Sequence, residues 1–344
     1  MENLIIQKSG KEVKNYISRF ADVASRHTSV FLTRDLREVK GDCHKPNVII
    51  NMCRVNHIRF INKFFEGVNS KLNNDDLFIG TFETIIARRQ RLAIAKVPIL
   101  GKLFFGIDFL FNRVAPKVTG LKKIYFFLTQ GKNRLLSKAE VLGRLICCGF
   151  EIIDYKEIDG LIYFVVKKVK EPRIDLHPSY GALVKMDRMG QDGKIIGVYK
   201  FRTMHPFSEY LHDHILKMNG YSESGKPAKD FRLTPWGRFM RKYWLDELPQ
   251  LINVVKGELK LVGVRPVSRR YFEDIPLDVQ LMRLKQKPGC IPPYVIFNRK
   301  ASLVNAIESE REYLLEKSKK GSMTDTRCFF RAMYNIFVNK IRSA

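Results

Sequence analysis

The sequence predicts two consecutive domains: an α/β domain over residues 1–172 and a mixed α+β domain over residues 181–344. The chain has 344 residues and 45% hydrophobic content, which is enough for two cores. Residues 47–170 alternate between strand-like and helix-like patterns. The intervening segment "KEPRIDLHPSYG" (170–181) is rich in proline and turn-forming residues, and we place the domain boundary there.

The first domain shows its α/β character in two stretches. "NVIINMCRV" reads as a strand, followed by a helix over about residues 58–72, the turn "NNDD" and a second strand from Leu77. Ser137, three residues before Glu140, predicts a capping box and a helix that runs to Cys147 and stops at Gly149. "FEIID" and "LIYFVVKKV" then read as two strands joined by an Asp-Gly turn.

The segment from Val97 to Val114 is dense in apolar residues, yet Lys102, Asp108 and Arg113 interrupt it. A membrane-spanning helix needs about 20 mostly apolar residues, so we do not expect this one to span. The basic stretch "ARRQR" precedes it, which is typical of a helix lying in the membrane interface. A buried core helix is the alternative, and the sequence leaves both open.

The net positive charge of the chain limits the classes of partner that it can bind. Lysine and arginine total 61 against 35 acidic residues, a formal net charge of +26, which predicts a polyanionic partner: nucleic acid, an anionic membrane surface or a phosphorylated substrate. The N-terminus lacks the apolar core of a signal peptide, so export is not expected. Six cysteines have no metal-binding or paired spacing and are predicted to be reduced thiols: Cys43, Cys53, Cys147, Cys148, Cys290 and Cys328.

The second domain begins with "GQDGK", a turn between two short strands, and continues with a polar stretch that should be helical and then loop. In "YWLDELPQLINVVKG", Asp246 stands at a predicted N-cap and Gly257 at the helix stop. A helix N-terminus attracts anions, and the region is rich in arginine. One carboxylate could attack phosphorus while its neighbour Glu247 holds a divalent cation. Alternatively, Asp246 only caps the helix and Glu247 is a solvated acid.

Four blocks carry a family resemblance: "YKFRTM", "DFRLTPWGRFMRK", "LDELPQLINVVKGELKLVGVRP" and "KPG". In this order, between Lys185 and Pro293, they resemble the monotopic phosphoglycosyl transferases, a family of bacterial sugar transferases. The resemblance implies transfer of a phosphosugar from a UDP-sugar to undecaprenyl phosphate, which would start the synthesis of a lipid-linked exopolysaccharide, capsule or O-antigen glycan. It also implies a location at the cytoplasmic face of the bacterial inner membrane.

The same resemblance assigns roles to residues. Asp246 would be the nucleophile that attacks the β-phosphate of the UDP-sugar, releasing UMP and leaving an aspartyl phosphosugar. Glu247 would bind Mg²⁺. The residues implied to line the phosphate site are Lys200, Arg202, Arg232, Arg241 and Arg265. The family usually reads "VGPRP" where this chain has "VGVRP", so Val264 is expected to loosen the turn before Arg265.

The first domain, over residues 47–170, is similar to the latter half of a class I methyltransferase. No G-x-G-x-G stretch occurs in the first 46 residues, so we expect an incomplete domain with a non-catalytic, scaffolding or membrane-docking role. An active or cofactor-sensing domain is the alternative, and whether the domain binds any ligand is left open. The family's re-entrant hydrophobic helix has no counterpart directly before Lys185. Membrane attachment could therefore come from Val97 to Val114 together with the basic surface.

Two other readings compete with the transferase. One is a catalytically altered relative that acts as a membrane-associated regulator or scaffold. The other is a basic nucleic-acid-binding protein, which the net charge allows. The cations cluster around an acid pair that would repel a phosphate backbone, so no nucleic-acid partner is expected. The expected partners are a UDP-sugar, undecaprenyl phosphate and an anionic membrane surface; the sugar and the oligomeric state are left open.

Overall fold

The computed structural model describes residues 2–41, 45–118, 120–173, 181–220, 227–300, 302–321 and 323–341. The chain forms two compact units with mixed α/β structure. The first unit comprises residues 1–180, 205–220 and 227–232, and the second comprises residues 181–204, 221–226 and 233–344. Residues 205–220 and 227–232 therefore belong to the first unit, although the predicted boundary would assign them to the second domain.

The first unit contains five strands and eight helices among its described residues. The strands are β1 (Thr28–Phe31), β2 (Val48–Arg54), β3 (Leu77–Phe82), β4 (Phe150–Ile158) and β5 (Leu161–Lys168). The helices are α1 (Glu2–Ile17), α2 (Leu36–Gly41), α3 (Ile61–Lys71), α4 (Ile85–Arg91), α5 (Pro98–Phe109), α6 (Leu121–Thr129), α7 (Lys138–Cys147) and α8 (His212–Asn219).

One five-stranded sheet organises this unit, in the order β1-β2-β3-β5-β4. Strands β1, β2 and β3 are parallel, and β5 is antiparallel to both of its neighbours. The sheet is covered on both faces, because successive residues of β2 enter different cores: Ile49 packs with Phe65 and Phe78, and Ile50 packs with Ile17. Burial on both faces explains why these strands read as continuous apolar runs.

Several local predictions are confirmed. Helix α3 and strand β3 lie where they were expected, and Ser137 caps α7 by accepting a hydrogen bond from the Glu140 backbone N–H at 3.2 Å. Gly149, at φ 89°, ends the helix, and Asp159 and Gly160 both have positive φ in the hairpin turn. The Glu140 side chain departs from a capping box, because it forms ion pairs with Arg113 and Arg144 instead.

The segment from Val97 to Val114 folds as α5 followed by a π-helical turn, Leu110–Val114. Its large apolar side chains are mostly exposed, whereas Asp108 and Arg113 are buried. The buried-core-helix alternative is therefore wrong. No helix in the described part of the chain has the length and apolar character needed to cross a bilayer.

The second unit contains four described strands and seven helices. The strands are β6 (Leu183–Met189), β7 (Ile195–Phe201), β8 (Lys260–Val262) and β9 (Gly289–Ile291). The helices are α9 (Pro235–Lys242), α10 (Gln250–Val255), α11 (Arg269–Glu273), α12 (Leu277–Leu284), α13 (Pro293–Ile296), α14 (Leu303–Lys320) and α15 (Met323–Phe337).

Two small sheets shape the second unit. Strands β6 and β7 form the predicted antiparallel hairpin, and Asp192 and Gly193 adopt positive φ in its turn. Strands β8 and β9 pair in parallel, and their core includes Val262 and Val264. Every cysteine in the described ranges is a free thiol, as predicted, while Cys43 lies outside those ranges.

Candidate functional site

The acid pair lies in a 3₁₀ turn, Leu245–Glu247, between α9 and α10. Trp244 enters this turn with φ 62°, and the Glu247 N–H donates to the Trp244 carbonyl at 3.1 Å. Helix α10 begins only at Gln250, with Pro249 at the N-cap. The prediction that Asp246 caps this helix is therefore wrong, because the chain completes a separate turn before the helix starts.

Asp246 is 7% exposed, and its Oδ1 atom is buried without a hydrogen-bond partner. Burial and the neighbouring Glu247 raise the pKa of Asp246, while Lys200 and Arg241 oppose that rise. Leaving a buried carboxylate oxygen without a donor is costly, so the unsatisfied Oδ1 calls for an explanation. The lone pairs of Oδ1 are therefore not engaged by a donor, which suits a nucleophile.

Glu247 is held by two cations. Its Oε1 atom accepts from Lys200 Nζ at 2.6 Å and from Arg265 Nη2 at 3.3 Å. Burial would raise the pKa of Glu247, but Lys200 and Arg265 together hold the pKa below its usual value. Burial in turn lowers the pKa of Lys200, and Glu247 counteracts this. Glu247 is thus an ionised, salt-bridged acid, and the reading as a solvated first-turn acid is wrong.

The backbone of Arg265 is fixed by a buried ion pair between Arg283 and Glu310. Arg283 Nη2 donates to the Arg265 carbonyl at 2.6 Å, and the Arg265 N–H donates to Glu310 Oε1 at 3.3 Å. Both peptide groups around Arg265 are therefore held by charged partners, which makes the hydrogen bonds strong. The arrangement positions the Arg265 guanidinium next to Glu247.

The "VGVRP" and "KPG" blocks meet as neighbouring strands. Gly289 N–H donates to the Val264 carbonyl at 2.9 Å, and a Cβ on Gly289 would lie 2.2 Å from the Gly263 nitrogen. Only glycine fits this close approach. Val264 is buried in the core, where packing and backbone pairing hold it. The expectation that it loosens the turn relative to proline stays a prediction.

Arg241 reaches the site from α9, where its Nε donates to Thr203 Oγ1 at 3.0 Å. Thr234 caps the helix by accepting from the Gly237 N–H at 3.0 Å, and its hydroxyl donates to the Thr203 carbonyl at 2.8 Å. Arg202 donates from Nε to the Gly181 carbonyl at 2.9 Å. The loop after β7 is thereby tied to the start of α9.

The structure thus brings Lys200, Arg241 and Arg265 to the acid pair, through ion pairs or through their effect on the Asp246 pKa. Arg232 is different. It belongs to the first unit, where it forms a bidentate ion pair with Asp230 and is buried. Arg232 and the acid pair therefore belong to different units. The catalytic roles proposed for Lys200, Arg202, Arg232, Arg241 and Arg265 stay predictions.

Two residues near Glu247 were missed by sequence reasoning. Burial raises the pKa of Cys290 to about 11 and the pKa of Tyr294 to about 12, and the Glu247 charge raises both. The Tyr294 ring stacks on Trp244, with ring centroids 6.4 Å apart. Both follow the "KPG" block, and that proximity in sequence was the available signal.

A metal ion would find few protein ligands here. The described residues contain no group of three or more histidine, cysteine or acidic side chains that could hold one. Mg²⁺ in phosphate chemistry is commonly held by one or two carboxylates, with phosphate oxygens and water completing its shell. Glu247 and the partnerless Asp246 Oδ1 fit that limited role, so a metal that arrives with a diphosphate is compatible with the site.

Comparisons with known proteins point to one family. Residues 169–339 match the family model described as bacterial sugar transferase. An undecaprenyl-phosphate galactose phosphotransferase of Salmonella typhimurium is 39% identical over 117 residues, covering 31% of this chain and 24% of the relative. A UDP-glucose:undecaprenyl-phosphate glucose-1-phosphate transferase of Escherichia coli is 30% identical over 218 residues, covering 61% and 42%.

An uncharacterized sugar transferase of Haemophilus influenzae is 38% identical over 147 residues, covering 40% of this chain and 28% of the relative. The chain thus spans about a quarter of the length of the first curated relatives that it matches.

Proposed function

The chain belongs to the bacterial sugar transferase family through residues 169–339, and we propose that it transfers a sugar 1-phosphate from a UDP-sugar to undecaprenyl phosphate. The names of the Salmonella and Escherichia coli relatives support this donor and acceptor class. The reaction would initiate a lipid-linked glycan. Because the acceptor is a polyprenyl lipid and UDP-sugars are made in the cytoplasm, we place the reaction at the cytoplasmic face of the inner membrane.

In the first half-reaction, an Asp246 carboxylate oxygen attacks the β-phosphorus of the UDP-sugar. A bond forms between this oxygen and phosphorus, the bond from phosphorus to the bridging oxygen breaks, and UMP leaves with both electrons of that bond. In the second, a phosphate oxygen of undecaprenyl phosphate attacks the same phosphorus. The Asp246 carboxylate is then regenerated, and the product is a polyprenyl diphosphate sugar.

The cations of the site neutralise the charge that moves during transfer. Arg265 and Lys200 flank Glu247, and Arg241 lowers the pKa of Asp246, so three positive groups are available to the diphosphate. Preorganised cations of this kind stabilise phosphoryl-transfer transition states without reorganising. A Mg²⁺ bound through Glu247 would further neutralise the charge of the UDP-sugar diphosphate as UMP leaves.

The buried, partnerless Oδ1 of Asp246 amid these cations is the observation that carries the proposal. An unsatisfied carboxylate oxygen at this depth calls for an explanation, and a catalytic role supplies one. The first unit is proposed to be a non-catalytic, incomplete methyltransferase-like domain. Its parallel-rich sheet is compatible with that hypothesis, which rests on the sequence resemblance.

A lipid-free burst experiment tests the mechanism. Purified protein at micromolar concentration is mixed with a panel of UDP-sugars and Mg²⁺, without acceptor, and UMP and the intact protein mass are followed. One UDP-sugar should give about one equivalent of UMP and a covalent phosphosugar adduct. Asp246→Asn should abolish both. Asp192→Asn, an exposed acid in the β6–β7 turn where asparagine is equally tolerated, is the matched control and should react normally.

The same experiment separates the competing functions. A regulatory or scaffolding relative would release no UMP with any donor, and neither would a nucleic-acid-binding protein. UMP release that survives Asp246→Asn would show that another group is the nucleophile and would refute the mechanism.

A further inference from the structure

The first unit carries a large apolar surface that its own fold does not cover. It is formed by residues 97–118 and 120–128, which include α5, the π-helical turn and α6. Thirteen large hydrophobic side chains described in this range are exposed, and Ile99 and Phe127 are 82% and 83% exposed. Monomeric soluble proteins rarely expose apolar patches of this kind unless the patch has a binding role. We call it the apolar surface.

The helices of this surface are anchored through their polar side chains. Asp108 Oδ1 accepts from Arg88 Nη2 and from Asn112 Nδ2, each at 2.7 Å. Arg113 donates to the Leu135 carbonyl at 2.8 Å and pairs with the buried Glu140. A surface helix normally buries its apolar stripe and exposes its charges. Here the Asp108 and Arg113 charges point inward while most large apolar side chains point outward, so the exposure is built into the fold.

Helix α6 is fixed to the same framework. Tyr125 is buried, and its hydroxyl donates to Asn112 Oδ1 at 3.2 Å, which ties α6 to the π-helical turn. The Phe111 and Tyr125 rings also contact each other, with centroids 5.3 Å apart. Both helices therefore present their apolar side chains from one connected platform.

Charge identifies the partner. Residues 84–139 contain twelve lysines and arginines and one acid, Asp108, which is buried and paired. The exposed cations in this range include Arg89, Lys102, Lys122 and Lys123. An apolar surface whose described exposed charges within residues 84–139 are all positive complements an anionic lipid leaflet. A second copy of the chain would bring an identical basic rim and be repelled.

We propose that the apolar surface docks the first unit onto an anionic bilayer. The α5 and α6 side chains enter the boundary between headgroups and acyl chains, and the basic side chains contact lipid phosphates. The proposal goes beyond the transferase chemistry, because it assigns a lipid-binding site to the first unit, and vesicle binding is the property that tests it.

Tryptophan scanning of the full-length protein locates the docking face. Ile99→Trp and Phe127→Trp place a fluorophore on α5 and α6, and Ile153→Trp on β4, also an exposed apolar position of the first unit, is the control. Vesicles of phosphatidylcholine and phosphatidylglycerol carry brominated acyl chains as quenchers. Relative to the unsubstituted protein, the added fluorescence should be quenched at positions 99 and 127 and not at 153. Equal quenching at all three positions, or none, overturns the proposal.

Substituting acidic residues on the apolar surface measures how much this surface contributes to vesicle binding. The double variant Ile99→Glu, Phe127→Glu should lower the partition coefficient for anionic vesicles by about tenfold or more, because two apolar side chains no longer enter the lipid. Ile153→Glu should change it less than about twofold. Both variants should retain the lipid-free UMP burst, so failure of docking and failure of the transferase proposal are separable.

Two results would overturn the docking proposal. Unchanged vesicle binding by the double variant would mean that another surface binds lipid. A lipid-free oligomer that the double variant converts to monomers, with vesicle binding unaffected, would mean that a second copy covers the apolar surface.

Discussion

Replacing Glu247 by glutamine tests whether this acid serves as the counter-ion of the site. The Glu247 side chain is 10% exposed and accepts from Lys200 and Arg265 through one oxygen. Glutamine keeps the shape and an acceptor oxygen but removes the charge. Lys200, whose side chain is 18% exposed, would then stand beside Arg265 with no anion between them. We expect the second unit to lose stability.

The loss in free energy of unfolding can be estimated from how deeply Lys200 and Arg265 are buried. Removing one partner of a fully buried ion pair costs about 3–5 kcal/mol, because the other charge is stranded. Lys200 retains some solvent contact and Arg265 is half exposed, so water screens part of this cost. We therefore expect a loss of about 2 kcal/mol. With a urea m-value of about 2 kcal/mol/M, the unfolding midpoint should fall by about 1 M.

Urea unfolding followed by circular dichroism gives the measurement. Glu273→Gln, which removes an exposed acid paired with Arg269, is the control and should shift the midpoint by less than about 0.3 M. Adding Lys200→Met to Glu247→Gln should recover part of the loss, because no lysine is then stranded. A Glu247→Gln midpoint equal to that of the control would refute the counter-ion role. If the Glu247→Gln midpoint equalled that of the control and the UMP burst of this variant no longer depended on Mg²⁺, Glu247 would act as a metal ligand only.

Three further outcomes test the site. Arg265→Ala should slow the UMP burst by about 10²–10³-fold, because a preorganised charge partner is lost, and stopped-flow detection of UMP checks this. Lys200→Met should raise the pKa of Asp246 further, because the Lys200 charge lowers that pKa in the parent protein. The attacking carboxylate must be deprotonated, so the acid limb of the pH profile of the burst rate should move to higher pH. A shift to lower pH would contradict the proximity of the two groups. Gly289→Ala should destabilise the second unit by about 2 kcal/mol or more, because its Cβ would lie 2.2 Å from a backbone nitrogen of the neighbouring strand, and a thermal midpoint equal to that of the parent protein would contradict this packing.

Features that depend on near neighbours in the chain were predictable from the sequence. Ser137 caps α7, Asp159-Gly160 forms the hairpin turn between β4 and β5, and the "GQDGK" turn joins β6 to β7. Capping and positive-φ turns are decided within about four residues, so local chemistry is sufficient. The order of the four motif blocks likewise indicated the family that the comparisons identify.

The environment of the acid pair required the tertiary structure. Asp246 was predicted as a helix cap from its neighbours, yet the chain inserts a 3₁₀ turn there and leaves its Oδ1 buried and partnerless. Glu247 is paired with Lys200, which is 47 residues away in the chain. Partners at such separations are set by packing, and sequence spacing carries no information about them.

The sequence by itself determined that residues 97–114 are apolar, interrupted by charge and unable to span a membrane. Only the tertiary structure decided which side of that helix faces outward. An apolar pattern is the same for a buried helix and for one that docks on lipid, and the choice depends on where partners for its charges lie. Arg88 and Glu140, distant in sequence, pair with Asp108 and Arg113 and so turn the charges inward and the apolar side chains outward.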